Sequence, residues 1–355
     1  MKPTYFGGTT VKRGNPYGTH RVIEPIGSLP QSALKISNDT ELYDNEILIN
    51  VDYLNIDSAS FTQLREEVKD DLEKLASKIM EIVNERGKMQ NPITGSGGML
   101  IGEVEKIGVA LKDRTDLKIG DKIATLVSLS LTPLRIDKIK NIQPNIDRVE
   151  IQGKAILFES GTYAKLPDDI EPTLALAALD VAGAPAQVKK LVRPGDKVLI
   201  LGATGKSGLM CCYMAKKMVG NTGKVIGQAR NEGRAKFLKS TEFCDEVITC
   251  NILNPIVVLE QTLKVNNNKE VDISINCLSI PNTEMSSILP VKDEGIVYFF
   301  SMATSFTKAA LGAEGIGKDV TMIIGNGYTK NHVQITLDIL RESKVLQTVF
   351  KEKYT

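Results

Sequence analysis

The chain of 355 residues has no tryptophan and only two histidines, His20 and His332. With so little imidazole, a Cys/His zinc site would need ligands gathered from distant parts of the sequence, and nothing in the spacing points that way. Cysteine is also scarce. Cys211, Cys212, Cys244, Cys250 and Cys277 all lie in the second half with no CxxC pair, which reads as reduced thiols rather than a disulfide framework. Neither sign of charge dominates: 44 Lys and Arg face 43 Asp and Glu, a formal net charge of +1. That balance makes no electrostatic case for nucleic acid or an anionic membrane and leaves small molecules as the expected partners. No apolar run approaches the roughly 20 residues of a spanning helix. The stretch MKPTYFGGTTVKRGNPYGTHR lacks the apolar core of a secretory signal, so a cytoplasmic location is expected. The length exceeds what one core usually holds, and two domains are the natural expectation.

What the chain does have is KVLILGATGKSG, residues 197 to 208. Val198, Leu199, Ile200 and Leu201 suit a parallel strand covered on both faces, and Gly202, Gly205 and Gly208 follow at three-residue spacing. A dinucleotide site needs this order: one glycine for the tight turn, one where the pyrophosphate nears the backbone, and one where helix and strand pack closely. Amides at the helix start would face the phosphates. The candidate cofactor-binding residues are therefore Gly202, Ala203, Thr204, Gly205, Lys206, Ser207 and Gly208; the competing reading is an ordinary strand-to-helix turn without a ligand. A triphosphate P-loop fails on spacing, because the position five residues before Gly205 is Ile200, inside the strand. The turn Arg193-Pro194-Gly195-Asp196 precedes the strand, and Lys224-Val225-Ile226-Gly227 reads as the next strand. After it an NAD site would carry an acidic side chain, yet KVIGQARNEGR offers Gln228 and Arg230. Arg230 could accommodate a 2′-phosphate or face solvent, while Gln228 or Asn231 could hydrogen-bond a ribose.

The first part of the chain reads as mostly β, with strands at 46 to 57 and Met99 to Ile107 before the turn Leu117 to Asp121. Between them, from about Thr62 to Arg86, Leu64, Val68, Leu72, Leu75, Ile79, Ile82 and Val83 recur at helical spacing and predict one amphipathic helix. From Pro172 onward strands and helices alternate. A helix over about Thr173 to Leu191 is expected, then strands near 198, 224, 247, 272, 296 and 321, and a final helix over about Asn331 to Glu342. Such alternation predicts an α/β fold with a doubly wound parallel sheet.

The β-rich first half, the KIGDKIA turn, the approach VRPGDKVLILGATG and the Rossmann second half together resemble the medium-chain dehydrogenase/reductase superfamily. Within it, VKRGNPYGTHRVIEP, LNIDSASFTQ, NPITGSGGMLIGEVEKIG and ALDVAGAPAQV are similar to the family that deaminates 3,5-diaminohexanoate in anaerobic lysine fermentation. The resemblance implies a GroES-like catalytic domain over residues 1–170, a Rossmann domain over 171–325 and a C-terminal segment, 326–355, returning to the catalytic domain. It further implies oxidative deamination of L-erythro-3,5-diaminohexanoate with NAD as coenzyme, NADP use left open, and a homodimer. Where zinc-dependent relatives carry cysteine or histidine ligands, this chain has Asp57-Ser58, Ser96-Gly97 and Asp180-Val181, so zinc is disfavoured.

That chemistry needs a base, a home for a carboxylate and a home for a second ammonium. Asp57 and Asp180 are the leading acid/base or ammonium-binding candidates by position, against a capping role or an interdomain hydrogen bond. Arg13 and Arg21 are candidates for the substrate carboxylate, because guanidinium binds it in bidentate fashion. Tyr17 and Ser96 are further substrate-binding candidates, and His20 could relay a proton or be a satisfied structural histidine. The rival readings are a zinc-free quinone or enoyl reductase using NADPH, and a nucleotide-binding protein without turnover.

Overall fold

The computed structural model describes residues 4–6, 9–300, 303–325 and 327–355. Residues 1–3 and 7–8 of the stretch read for a signal, and Asn326 at the start of the C-terminal segment, lie outside the described residues. The chain divides into two compact units, residues 1–172 and 173–355.

In the first unit two small ladders, β1 (Thr4–Phe6) with β2 (Thr9–Val11) and β3 (Val22–Glu24) with β4 (Lys35–Ile36), accompany a six-stranded sheet. Its strands are β5 (Glu46–Ile56), β6 (Gly98–Ile107), β7 (Lys122–Thr125), β8 (Leu134–Gln143), β9 (Arg148–Phe158) and β10 (Tyr163–Lys165), in the order β10-β7-β6-β5-β9-β8 with every neighbour antiparallel. β5 is paired on both edges, and its Ile49, Leu54 and Ile56 are fully buried. They share one core with Phe61 and Leu64 of α1 (Ser58–Glu67) and Leu75, Ile79 and Val83 of α2 (Leu72–Arg86). One helix was expected over 62–86, and the structure corrects this to two. Lys69 and Asp70 turn to φ 56° and 59°, and Asp71 then starts α2 by accepting from the amides of Glu73 and Lys74, both at 3.1 Å. Hydrophobic spacing ran across the break because both helices bury the same face.

The second unit holds the parallel sheet. β11 (Lys197–Leu201), β12 (Lys224–Ala229), β13 (Glu246–Thr249), β14 (Val271–Asn276), β15 (Val291–Phe299) and β16 (Val320–Ile324) lie in the order β13-β12-β11-β14-β15-β16, all parallel. That is the doubly wound dinucleotide-binding order, with β11 at its centre. Val198, Leu199, Ile200 and Leu201 are fully buried, as a strand covered on both faces requires. The helix expected over 173–191 is also two, α3 (Pro172–Leu179) and α4 (Gly183–Leu191). Pro185 has no N–H to return to the carbonyl of residue 181, so a continuous helix would lose a bond there. α5 (Lys206–Val219), α6 (Glu232–Ser240), α7 (Pro255–Val265), α8 (Glu284–Ile288) and α9 (Phe306–Ile316) follow the strands.

The C-terminal segment was expected to return to the catalytic domain; the structure corrects this. α10 (His332–Glu342) packs on α4 and α5, burying Leu337, Ile339 and Leu340, and α11 (Lys344–Tyr354) packs on α10 and α5, burying Leu346, Val349 and Phe350. These two apolar faces find their partner within the second unit. Ser343 caps α11 through the Leu346 amide, at 3.2 Å, and so separates it from α10.

Candidate functional site

The glycine motif leaves β11 at Gly202, whose φ of 73° lies in the left-handed region, and enters α5 at Gly205. A Cβ on Gly208 would stand 2.1 Å from the Gly202 carbonyl oxygen, so only glycine lets the helix lie this close to its strand. Gly205 differs: a Cβ there meets nothing nearer than 3.5 Å, which leaves open space at the helix start. That space belongs to a cavity of about 680 Å³ lined by Gly202, Thr204, Gly205, Gln228, Arg230 and Arg234. Its far wall comes from the segments after β13 and β14, Cys250 to Leu253 and Cys277 to Ile280, with Tyr354 of α11. Among the described residues no carboxylate lines it, and two guanidinium groups do, which suits a ligand with several phosphate charges.

Gln228 lines this cavity, but its side chain is committed. Its Oε1 accepts from the Gly202 amide at 3.2 Å and its Nε2 donates to the carbonyls of Ala229 and Cys250. It pins the motif to the end of β12, which corrects the expectation that it would hold a ribose. Asn231 is likewise spent as the α6 cap, accepting from the Arg234 amide at 3.0 Å. Arg230 remains exposed at the cavity wall. Sequence reading missed Arg234, Tyr354 and the two strand-end segments. The strand-end segments were recoverable from the rule that ligands lie beyond the carboxyl ends of parallel strands. Lys206, the first residue of α5, pairs with Asp180 at 2.7 Å, so the motif and Asp180 belong to one cluster. Ala203, Ser207 and Gly208 are buried beneath the loop.

In the first unit the sequence candidates Asp57 and Ser96 come together. Asp57 follows β5 and Gly97 precedes β6, and because Ile56 pairs with Gly98 the two are brought level: Asp57 Oδ2 accepts from the Gly97 amide at 3.1 Å. Asp57 occupies the cap position of α1, yet its side chain makes no capping hydrogen bond there. Beside it the Ser60 hydroxyl lies 2.5 Å from those of both Thr94 and Ser96. Asn91 orders this loop, accepting from the amides of Ile93 and Thr94 and donating to the Ser60 carbonyl.

The N-terminal signature is largely structural. Arg21 is buried, and it donates through Nε and Nη2 to the two oxygens of Glu46, each at 2.6 Å, and to the carbonyls of Asp39 and Glu41. This corrects its assignment to the substrate carboxylate: the guanidinium already has one. His20 is also consumed. Its Nδ1 accepts from the Asn15 amide at 2.9 Å, so Nε2 carries the proton and donates to Glu46 at 2.8 Å, which corrects the proton-relay expectation. Burial alone would raise the Glu46 carboxyl, but the Arg21 and His20 hydrogen bonds outweigh it and hold it down at about 2. Arg13 stays half-exposed, 3.9 Å from Asp44 and 3.6 Å from Glu159. Tyr17 is exposed and lines a separate cavity of about 360 Å³ with Leu29, Leu131, Ile156 and Phe158; with no charged residue in its wall among the described residues, that cavity is a poor home for a zwitterion. Among the described residues no group of three or more His, Cys, Asp or Glu is placed to hold a metal ion, and no helix is long and apolar enough to cross a membrane.

A six-stranded dinucleotide-binding sheet in one unit and an antiparallel sheet in the other define the medium-chain dehydrogenase/reductase architecture. Solved structures agree in fold: the Escherichia coli quinone oxidoreductase complexed with NADPH superposes with a TM-score of 0.53 at 16% identity, covering 90% of this chain and 86% of that one. The CurK enoyl reductase does so at 0.52 and 14%, covering 90% and 81%. A family profile described as the L-erythro-3,5-diaminohexanoate dehydrogenase N-terminal domain matches residues 20–167. The L-erythro-3,5-diaminohexanoate dehydrogenase of Acetoanaerobium sticklandii is 68% identical over 96% of this chain and 99% of its own length. That of Fusobacterium nucleatum is 65% identical over 97% and 100%. The chain belongs to the L-erythro-3,5-diaminohexanoate dehydrogenase family.

Proposed function

We propose that the protein catalyses the oxidative deamination of L-erythro-3,5-diaminohexanoate to 5-amino-3-oxohexanoate and ammonium in anaerobic lysine degradation, favouring NAD and accepting NADP. The observation that carries this reading is the full-length identity with two dehydrogenases named for that substrate. The open space at Gly205 and the carboxylate-free cavity beside it fit a dinucleotide. When bound, the dinucleotide accepts the hydride from carbon 3. The chain's own groups must do the rest: take a proton from the C3 ammonium so that a neutral amine is present, and take another from the water that replaces nitrogen. Overall, the C3 ammonium, water and oxidised coenzyme become the ketone, ammonium, a proton and reduced coenzyme.

Asp57 is our choice for this proton handling in the first unit, since its carboxylate accepts from the Gly97 amide and the Ser96 and Thr94 hydroxyls beside it can orient water. Asp180 fixes the Lys206 ammonium at the start of α5 and can answer an incoming substrate ammonium. Within the N-terminal signature, Arg13 is our choice for the substrate carboxylate. We also assign the protein to the cytoplasm, a metal-free mechanism, and a homodimer through the β16 edge, where Ile324 is 61% exposed; light scattering reads the last directly.

An assay of nicotinamide reduction with 3,5-diaminohexanoate, with and without chelator, tests the reading by counting ammonium released per coenzyme reduced. A ratio of one, unchanged by chelator, is expected; loss of activity in chelator would restore a metal, and no reduction with either coenzyme would end the dehydrogenase reading. Arg230 in the cavity favours a second reading, a zinc-free quinone or enoyl reductase, which the same assay run with NADPH and a quinone or enone separates.

A further inference from the structure

Arg21 and Arg148 are both buried in the first unit, and the fold treats them in opposite ways. Arg21 gives Nε and Nη2 to the carboxylate of Glu46. Arg148, 8% exposed at the first position of β9, has no such answer. Its Nε is buried without a hydrogen-bond partner, and among the described residues no carboxylate pairs with its guanidinium. Burial works against its charged form; Tyr53, whose ring centre lies 5.7 Å from the Arg148 Cζ, works the other way. An aromatic face offsets part of the cost of burying a cation, and an anion offsets far more. A guanidinium kept out of water with no acid beside it points to an anion that arrives from outside.

The place of Arg148 in the sheet says which anion. It stands directly opposite Asn55 of β5, which on its other edge faces Met99 of β6. Leu54 and Ile56 are buried in the core on one side of β5; Tyr53 and Asn55 project to the other, with Arg148, and continuing the alternation brings Asp57 to that side. Asn55 and Asp57 are two residues apart, roughly 7 Å along the strand. The turn before β9 is fastened at the same point: the Ile56 amide donates to the Asp147 carbonyl at 3.0 Å, and the Ser58 hydroxyl donates to the Asp147 carboxylate. In 3,5-diaminohexanoate the carboxylate is two carbons from the amine-bearing carbon 3, so an acid held by Arg148 puts carbon 3 beside Asp57. Arg13, the choice within the signature, lies at the opposite end of β5, near Asp44 and Glu159. At the rise of a strand that end is roughly 30 Å from Asp57, farther than a six-carbon chain reaches.

We propose that Arg148, in place of Arg13, binds the substrate carboxylate through a bidentate pair of charge-assisted hydrogen bonds, and so selects a 3-amino acid over an amine without an acid group. The assignment rests on the dehydrogenase reading and on Asp57 as the group beside carbon 3.

Turnover of 3,5-diaminohexanoate compared with that of 3,5-diaminohexanamide, in which an uncharged amide replaces the acid, tests it. The unaltered protein favours the acid in kcat/KM by about a hundredfold, the range for two hydrogen bonds to a charged group. Arg148→Met lowers kcat/KM for the acid by about that factor and brings the acid-to-amide ratio close to one, while the amide and NADH affinity change by less than about threefold. Arg148→Lys, which keeps the charge but not the fork, falls between. Without substrate, Arg148→Met melts at or above the parental temperature, because it removes a buried charge that has no partner. Equal use of acid and amide by the unaltered protein, a ratio unmoved in Arg148→Met, a ratio that collapses in Arg13→Met instead, or a lowered melting temperature with both substrates lost alike overturns the assignment. The dehydrogenase reading stands through each of these as long as the unaltered protein reduces coenzyme with the acid. If it reduces none with either compound, both fall.

Discussion

Gly205 and Gly208 sit three residues apart in one loop, and the structure gives them opposite responses to the same methyl group. At Gly208 an added Cβ would lie 2.1 Å from the Gly202 carbonyl oxygen and 2.8 Å from the Ala203 Cα, both backbone atoms that cannot swing aside. Gly208→Ala must therefore push α5 from β11, an overpacking cost of roughly 3 kcal/mol, which for a unit of this size lowers Tm by roughly 6 to 12 °C. At Gly205 the nearest atom is 3.5 Å away and the backbone, at φ −81° and ψ 173°, is one that alanine adopts. Gly205→Ala should change folding stability by less than about 1 kcal/mol, because the lost cap preference and the reduced freedom of the unfolded chain nearly offset. Its methyl would instead fill the space where a pyrophosphate nears the backbone, and affinity for NADH should fall at least about tenfold. Thermal melting without ligand and calorimetry with NADH separate the two effects. A Gly205→Ala protein that binds NADH as the parent does would refute the placement of the phosphates, and a Gly208→Ala protein that melts at the parental temperature would refute the packing argument.

Three further outcomes are expected. The Glu46 carboxyl, held near 2 in the fold against an ordinary value of 4.5, contributes stability that is fully present above about pH 4.5 and is lost as pH falls toward 2. The amount is about 3 kcal/mol, so Glu46→Gln should melt below the parent at pH 7 and approach it as pH falls toward 2, and equal melting at pH 7 would refute the pairing. Asp57→Asn should lower turnover by about a hundredfold or more with NADH affinity intact, the usual cost of losing an acid/base group, and unchanged turnover removes Asp57 from the mechanism. Asp180→Asn frees Lys206; it should lower kcat by a smaller factor while melting within about 1 kcal/mol of the parent, since the pair is partly exposed.

Much of the scaffold was legible because burial leaves a periodic signature. Each expected strand of the parallel sheet is present, and β11 shows the unbroken apolar run that covering on both faces demands. The breaks in two expected helices were harder, since the apolar stripe continues across Lys69 and Asp70 and only the capping of Asp71 marks the restart. Site residues were harder still. Arg21 looked like a ligand because nothing local shows that Glu46, on a strand 25 residues on, will take its Nε and Nη2 donors. Gln228 looked free because its partners come from Gly202 and Cys250. The shape of the glycine loop could be read because it is set by its own backbone, whereas Tyr354 reaches the cavity only through the packing of α11 on α5, which no local pattern announces.

The central claim, that hydride passes from the amine-bearing carbon to nicotinamide in this protein, is tested most directly with 3,5-diaminohexanoate deuterated at carbon 3. Mass spectrometry of the reduced coenzyme should find one deuterium per molecule, with 5-amino-3-oxohexanoate formed in equal amount. Reduced coenzyme without deuterium, or no reduction at all, would contradict the account.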